Sequence, residues 1–409
     1  MRFLFVSAQL PGHLDWGGYL STAAELVRRG HEVIWATGVS MQPLVAARGV
    51  PVHVLSETGW RWPPPPPLTP AVVASPEAYR QQRMIRSLDQ WLDVDRLRPA
   101  TAELIELGRA FQPDLMGAEM FMAASGIAAE VLDVPFAVIG WPALRTHLSD
   151  AAAQEVAGLA CNRIASVLSD FNATGINWQL DGPPALLSPR LHVTYWSPRW
   201  YSGLPLLPQN ETVGGIAPDP QPWQSPWLNQ LPMDQPWIFI TLGTSFGLDV
   251  NFFVAAAHAA AEVGGLPILA IGDQLTPSMI EALQAKLPKG SIVTARVEFA
   301  EVLPYAAAAI HHGGAGTTHA LVTHAVPQLV VPHAADQSRQ AEGVARSGVG
   351  YRIPPKQVTI PLLVRALQAM LPDNSAIRQN ARALQSEFAA LGGVPRAADL
   401  LERVVTGDW

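Results

Sequence analysis

The run His311-His312-Gly313-Gly314-Ala315-Gly316-Thr317-Thr318 follows an apolar stretch and precedes a helix-like one, so its glycines fall at a strand-to-helix turn. Glycine there lets the backbone come close to a ligand, and the N–H groups of a helix N-terminus favour an anion. A phosphate fits both properties. The hydroxyls of Thr317 and Thr318 add donors, and His312 can offer an imidazole N–H to a diphosphate oxygen. No lysine follows the glycines, which excludes a Walker-type phosphate loop. A purely structural glycine turn has the same composition, but the residues downstream weigh against it. A buried strand through Leu329-Val330-Val331 delivers Asp336-Gln337 at its carboxyl end, where ligands of open α/β sheets bind. A carboxylate beside an amide accepts and donates several hydrogen bonds, as the vicinal hydroxyls of a pyranose require.

A candidate base lies near the start of the chain. Pro11-Gly12-His13 follows the apolar run Phe3 to Ala8, which projects His13 from the carboxyl end of a strand. An imidazole, with an ordinary pKa near ~6.5, can take a proton from a hydroxyl at neutral pH. Other motifs carry less. Asp93-Val94-Asp95 has the spacing of an Asp-x-Asp metal site but sits in a helix-like polar stretch rather than at a strand end. Asn172-Ala173-Thr174 matches a glycosylation sequon without a secretory signal. Cys161 is the only cysteine, which excludes an internal disulfide and any thiolate metal cluster. No metal and no cofactor are called for.

These residues need elements to hold them. Short apolar runs at Phe3 to Ala8, Val33 to Ala36, Val52 to Leu55, Leu115 to Ala118 and Phe136 to Ile139 alternate with helix-period segments such as Ser21 to Arg29 and Ala100 to Phe111. Runs without polar alternation imply strands buried on both faces, hence a parallel sheet covered by helices. The segment Gly59 to Pro70, rich in proline, reads as a stiff loop outside any helix or central strand. Leu204 to Pro236 is proline-rich and aperiodic, the best candidate for a linker. The pattern then restarts at Trp237 to Leu242, Ile268 to Ile271, Ile292 to Thr294, Ala308 to His311 and Leu329 to Val331, and Ser375 to Val405 reads as helix. The expected division is 1–215 for a first domain, linker included from about 204, and 216–388 for a similar second. Residues 389–409 form a final helix with the option of crossing back to the first.

The chain's 409 residues exceed what one core of ~250–300 residues holds, consistent with two domains. Its formal charge of -7 gives no basic footprint for nucleic acid or an anionic membrane. The opening MRFLFVSAQL is too short an apolar run for a signal peptide, and no stretch approaches the ~20 apolar residues of a membrane span. A cytoplasmic protein, monomer or homodimer, is expected.

Taken together, HHGGAGTT, the Val-Pro strand and PHAADQ resemble the nucleotide-sugar signature of the UDP-glycosyltransferase superfamily, especially its bacterial antibiotic and macrolide members and sterol glucosyltransferases. The resemblance extends to the early Gly12-His13, to Arg29-Gly30-His31-Glu32-Val33, to Gln112-Pro113-Asp114-Leu115 and to Leu242-Gly243-Thr244. It implies an α/β GT-B fold, two facing Rossmann-like domains with an interdomain cleft. It also implies an inverting transfer of a hexose or deoxyhexose from a UDP- or dTDP-sugar to a hydroxyl of a hydrophobic small molecule. By the same resemblance His312, Gly314, Ala315, Gly316 and Thr317 hold the diphosphate, with Thr244 and Ser245. Val297 reads the base through its backbone, and Asp336 and Gln337 hold the sugar. The family's Trp-Val-Pro-Gln tetrad is here Arg296-Val297-Glu298-Phe299, and its ribose-binding Glu is Ala320, which opens the way to a dTDP donor. His13 becomes the general base. Counting from Pro113-Asp114, the family's orienting Asp falls on Glu119, with Asp15 as the rival orienter. Of thirteen tryptophans, Trp16, Trp60, Trp62 and Trp141 fall in or beside loops of the first-domain cleft, where aromatic faces suit a greasy acceptor. The alternatives are a GT-B protein that has lost catalysis and a nucleotide-sugar epimerase on the same fold.

Overall fold

A computed structural model describes residues 1–14, 17–66, 68–145, 151–180, 183–218, 224–243, 249–333 and 336–407, with the side chains of 151, 152 and 230 outside that description. The chain forms two compact units, Met1–Tyr195 with Leu204–Val213 and Gly393–Trp409, and Trp196–Gly203 with Gly214–Gly392.

In the first unit seven parallel strands lie in the order Val52–Val54, Glu32–Thr37, Arg2–Val6, Leu115–Ala118, Phe136–Ile139, Leu191–Thr194, Asn210–Thr212. Both faces of the strand Arg2–Val6 are buried. Leu4 and Val6 enter one core with Leu88, Trp91, Leu104 and Ile127, while Phe3 and Phe5 enter another with Tyr19, Trp35 and Leu401. That double burial is why the strands read as unbroken apolar runs. In the second unit six parallel strands follow the order Ile292–Thr294, Leu266–Ala270, Trp237–Thr241, Ala306–His311, Gln328–Val330, Gly350–Arg352. Ile238 and Ile240 face one core and Trp237 and Phe239 the other. In both sheets the strand order reverses beside the unit's first strand, which makes a crevice at the carboxyl ends of the two strands flanking the reversal.

Three elements depart from the sequence reading. The proline-rich stretch after Leu204 contains the strand Asn210–Thr212, which pairs with Leu191–Thr194 at the sheet edge. Pro70 opens a short helix, Pro70–Ala74, from its first position, where a missing N–H costs nothing. The terminal helix is two helices, Ala376–Ala390 and Gly393–Thr406, broken where Gly392 and Gly393 take positive φ of 92° and 57°. The last helix buries Ala397, Leu400, Leu401 and Val404 in the first unit's core. Arg29 pairs with Asp399 and Glu402 at 2.7 and 2.8 Å, and His31 with Glu402 at 2.7 Å. Among the described residues, no helix is long and apolar enough to cross a membrane.

Candidate active site

Each unit places buried polar residues at its own reversal point. In the first unit, Val6 and Ala118 are neighbours across the two strands that flank it. A turn of 3-10 helix, Pro11–His13, follows the first strand, and Glu119 follows the second directly. The chain thereby brings together residues 106 positions apart: His13 Nδ1 and Glu119 Oε1 are 2.8 Å apart. His13 is 7% exposed and Glu119 1%. The other carboxylate oxygen, Oε2, accepts the backbone N–H of Phe121 at 2.8 Å. Glu119 therefore has a donor on each oxygen, which fixes its orientation and directs a ring N–H of His13 toward it. Asp114, by contrast, accepts the Arg2 N–H at 2.7 Å and ties down the start of the sheet. Asp15 and Trp16 lie outside the described residues.

The aromatic candidates separate. Trp60 is 8% exposed, with its ring centroid 4.5 Å from that of His13. Trp141 is half-buried, 6.4 Å from the ring of Phe121, and Trp62 is 48% exposed. Phe121 escaped the sequence reading, although it stands two residues beyond the candidate carboxylate, and its ring lies 5.8 Å from His13.

In the second unit Thr241 pairs with His311 across the reversal. Gly313, at φ 89°, turns the chain, Gly314 caps the helix Ala315–Thr323, and the first helical bond is Thr318 N–H to Gly314 O at 2.9 Å. The N–H groups of Ala315, Gly316 and Thr317 precede that ladder, at the positive end of the helix. The His312 ring lies between glycines: a Cβ at Gly314 would fall 2.4 Å from its Nε2 and one at Gly243 2.8 Å. Burial above all, and then His333, hold the His312 pKa down to about 4 against a hydrogen bond with the Thr241 backbone. At neutral pH the ring is therefore neutral, a dipole rather than a charge. Thr318 does not match its expected role, because its hydroxyl is buried and donates to Gly314 O at 2.8 Å.

Asp336 precedes the helix Gln337–Ser347. Gln337 is 3% exposed, with Oε1 accepting the His333 N–H at 2.7 Å, while Asp336 is half-exposed and Oδ2 accepts from Gln340 at 3.4 Å. Val297 is half-buried beside Phe299 in the loop after Ile292–Thr294. Thr244 and Ser245 lie outside the described residues. Sequence reasoning also missed Asp249, which caps the helix Val250–Glu262 through Oδ1 and faces His333 Nε2 through Oδ2 at 3.4 Å. Asp93, of the Asp-x-Asp spacing, caps the helix Val94–Phe111 by accepting the Asp95 N–H. Among the described residues, no cluster of three His, Cys, Asp or Glu could hold a metal ion.

Comparison with known proteins adds the following. Residues 256–405 match the family model "Erythromycin biosynthesis protein CIII-like, C-terminal domain". The 10-deoxymethynolide desosaminyltransferase of Streptomyces venezuelae is 26% identical over 426 residues, covering 95% of this chain and 93% of that protein. Among solved structures, the calicheamicin glycosyltransferase superposes with a TM-score of 0.76 at 23% identity, over 99% of this chain and 98% of its own. The spinosyn rhamnosyltransferase, solved with thymidine diphosphate, gives 0.72 at 20% identity, over 98% of this chain and 100% of its own. These neighbours are GT-B glycosyltransferases, with the same parallel α/β architecture in two domains.

Proposed function

We propose that the chain is a member of the UDP-glycosyltransferase superfamily that transfers a hexose or deoxyhexose, with inversion, from a dTDP- or UDP-sugar to a hydroxyl of a hydrophobic small molecule, a reading supported by its likeness to glycosyltransferases of the antibiotic and natural-product type. The observation that carries this reading is the buried His13–Glu119 pair at 2.8 Å, at the reversal point of the first unit. With Nδ1 directed at Glu119, Nε2 is the ring nitrogen that takes the proton of the acceptor hydroxyl. The oxygen's electron pair then forms a bond to the anomeric carbon as the bond from that carbon to the diphosphate oxygen breaks. The nucleoside diphosphate leaves with the bonding electrons, and a single displacement inverts the centre. In this reading the leaving charge is stabilised by the N–H groups of Ala315, Gly316 and Thr317 and by His312.

The remaining assignments follow the motif. Thr244 and Ser245 contact phosphate, the Val297 backbone contacts the base, and Asp336 and Gln337 contact the sugar. Trp16, Trp62 and Trp141 offer aromatic surface to the acceptor, and the chemistry asks for no metal. Ala320 in place of the ribose-binding Glu favours dTDP, and the thymidine diphosphate held by the spinosyn rhamnosyltransferase agrees with that preference. Calorimetric titration with UDP and dTDP side by side decides the nucleotide, tighter dTDP being expected. His13→Ala should abolish transfer and leave nucleotide affinity within twofold. Loss of both together would remove the base assignment, and a chain that binds neither nucleotide would end the donor reading.

A further inference from the structure

The loop that carries Trp60 is fastened from several sides. Glu57 Oε1 accepts the N–H groups of Thr58 and Gly59, each at 3.0 Å, while Glu57 Oε2 pairs with Arg96 at 2.7 Å. Thr58 Oγ1 accepts the Trp60 N–H at 3.3 Å, and the Arg61 N–H reaches Gln90 O at 2.8 Å. Gly59 makes the turn at φ 81°, with a Cβ there meeting Leu97 at 3.0 Å. The result is a fixed indole whose centroid lies 4.5 Å from His13, tilted by 59°.

Phe121 closes the arrangement. Its ring is 5.8 Å from His13 and 5.7 Å from Trp60, so the three rings touch pairwise, and its backbone N–H holds the far oxygen of Glu119. Imidazole, carboxylate and two aromatic walls thus form one closed unit. Trp60 is 8% exposed, against 48% for Trp62, so most of its indole is committed to packing within the chain. Its indole N–H is buried and has no hydrogen-bond partner among the described residues. Buried polar groups are normally satisfied, so a phenylalanine would suit this site better if only packing mattered. Indole does have the strongest aromatic face for a cation within ~6 Å.

We propose that Trp60 is a positioning residue for His13, its indole pressing the imidazole against Glu119 and its π system stabilising the positive charge the ring acquires when it takes the acceptor's proton. This rests on the general-base reading of His13 and moves Trp60 from the acceptor surface to the catalytic support.

The test compares Trp60→Leu, Trp60→Phe and His13→Ala for release of nucleoside diphosphate from dTDP-glucose or UDP-glucose, whichever nucleotide binds. The release is followed once with water as the only acceptor and once with a fluorogenic coumarin alcohol as probe. Water makes no use of an aromatic acceptor surface, so it isolates the base. Trp60→Leu should lower kcat at least tenfold with both acceptors while the coumarin KM stays within twofold. Trp60→Phe, which keeps an aromatic face, should retain at least a third of kcat and a melting temperature no lower than the parent's. Unchanged hydrolysis with a raised coumarin KM returns Trp60 to the acceptor surface and overturns the proposal. Equal damage from Phe and Leu overturns it as well. A His13→Ala protein that retains both activities shows instead that the base assignment has failed. Should Trp60→Leu not fold, Phe121→Leu probes the other wall of the same clamp, with the same loss in kcat expected and an intact kcat counting against it.

Discussion

Glu119→Gln is nearly isosteric, yet the hydrogen bonds around Glu119 make it a severe change. Oε1 faces Nδ1 of His13 and Oε2 faces the N–H of Phe121, so both positions require an acceptor, and an amide has only one. A backbone N–H cannot cease to donate, whereas an imidazole can move its proton to the other nitrogen. The amide oxygen therefore settles on Phe121, its NH2 faces His13 Nδ1, and the ring proton shifts to Nε2, the atom that must be bare to act as base. Keeping the competent tautomer would set the buried Phe121 N–H against an NH2 group, at a cost of about 1–3 kcal/mol, or about 5- to 150-fold in population. Loss of the carboxylate charge opposite the imidazolium adds about 1 kcal/mol, a further factor of about five. We expect kcat to fall by about 25- to 750-fold with nucleotide affinity unchanged. Glu119→Ala lets either tautomer form while Trp60 and Phe121 still hold the ring, so it should melt at a lower temperature yet retain a higher kcat than the Gln variant. Steady-state release of nucleoside diphosphate, with calorimetry as control, measures both. A Gln variant within threefold of the parent, or milder than the Ala variant, refutes the tautomer argument.

The other expectations concern the second unit, pH and metal. Gly314→Ala places a methyl group 2.4 Å from His312 Nε2 and should weaken nucleotide binding at least tenfold with little change in melting temperature; unaltered calorimetric affinity would mean the turn is not the anion site. His192, His311 and His312 have pKa values held at about 4, 3 and 4, chiefly by burial. Above ~6.5, their value in an unfolded chain, they are neutral in both states and their stabilisation is complete. Below it the unfolded chain takes up protons that the folded one refuses, so stability falls toward pH 4 by ~1.4 kcal/mol per unit for each histidine. His192 belongs to the first unit, with Nε2 accepting from Ser188 N and Nδ1 donating to Trp141 O. His192→Gln should flatten the acid limb of a melting-temperature profile between pH 7 and 4.5, and a parallel profile would contradict the assignment. Chelation with EDTA should leave transfer within twofold, and Asp93→Ala should cost only the ~1 kcal/mol of a lost helix cap. Activity that follows added divalent metal would reopen the Asp-x-Asp site.

What could be read from the sequence was whatever depends on local chain direction. Strands buried on both faces have no polar alternation, and the turns at Gly12-His13 and Gly313-Gly314 announce themselves by composition, so the α/β architecture and the location of both polar clusters were visible. Contacts across large sequence separations were not. Nothing in the spacing of Trp60 and His13 brings their rings together; the carboxylates of Glu57 and Glu119 do that. Asn210–Thr212 escaped because three half-buried edge residues carry no apolar pattern, and the helix break at Gly392 because the apolar period continues across it. The doubled histidine marks the limit most sharply, since the sequence singles out His312 and gives His311 no task. Nδ1 of His311 accepts the Gly313 N–H at 3.2 Å, so its proton must sit on Nε2, where it is donated to Gln328 Oε1 at 3.1 Å. Gln328 in turn donates to Thr318 O at 3.4 Å. His311 is fully buried and committed through both nitrogens to shaping the turn, while His312 lies between the two glycines at its mouth. The motif locates the turn and nominates His312 for the proposed phosphate contact, and the hydrogen-bond inventory adds what the motif leaves open, that His311 builds the turn.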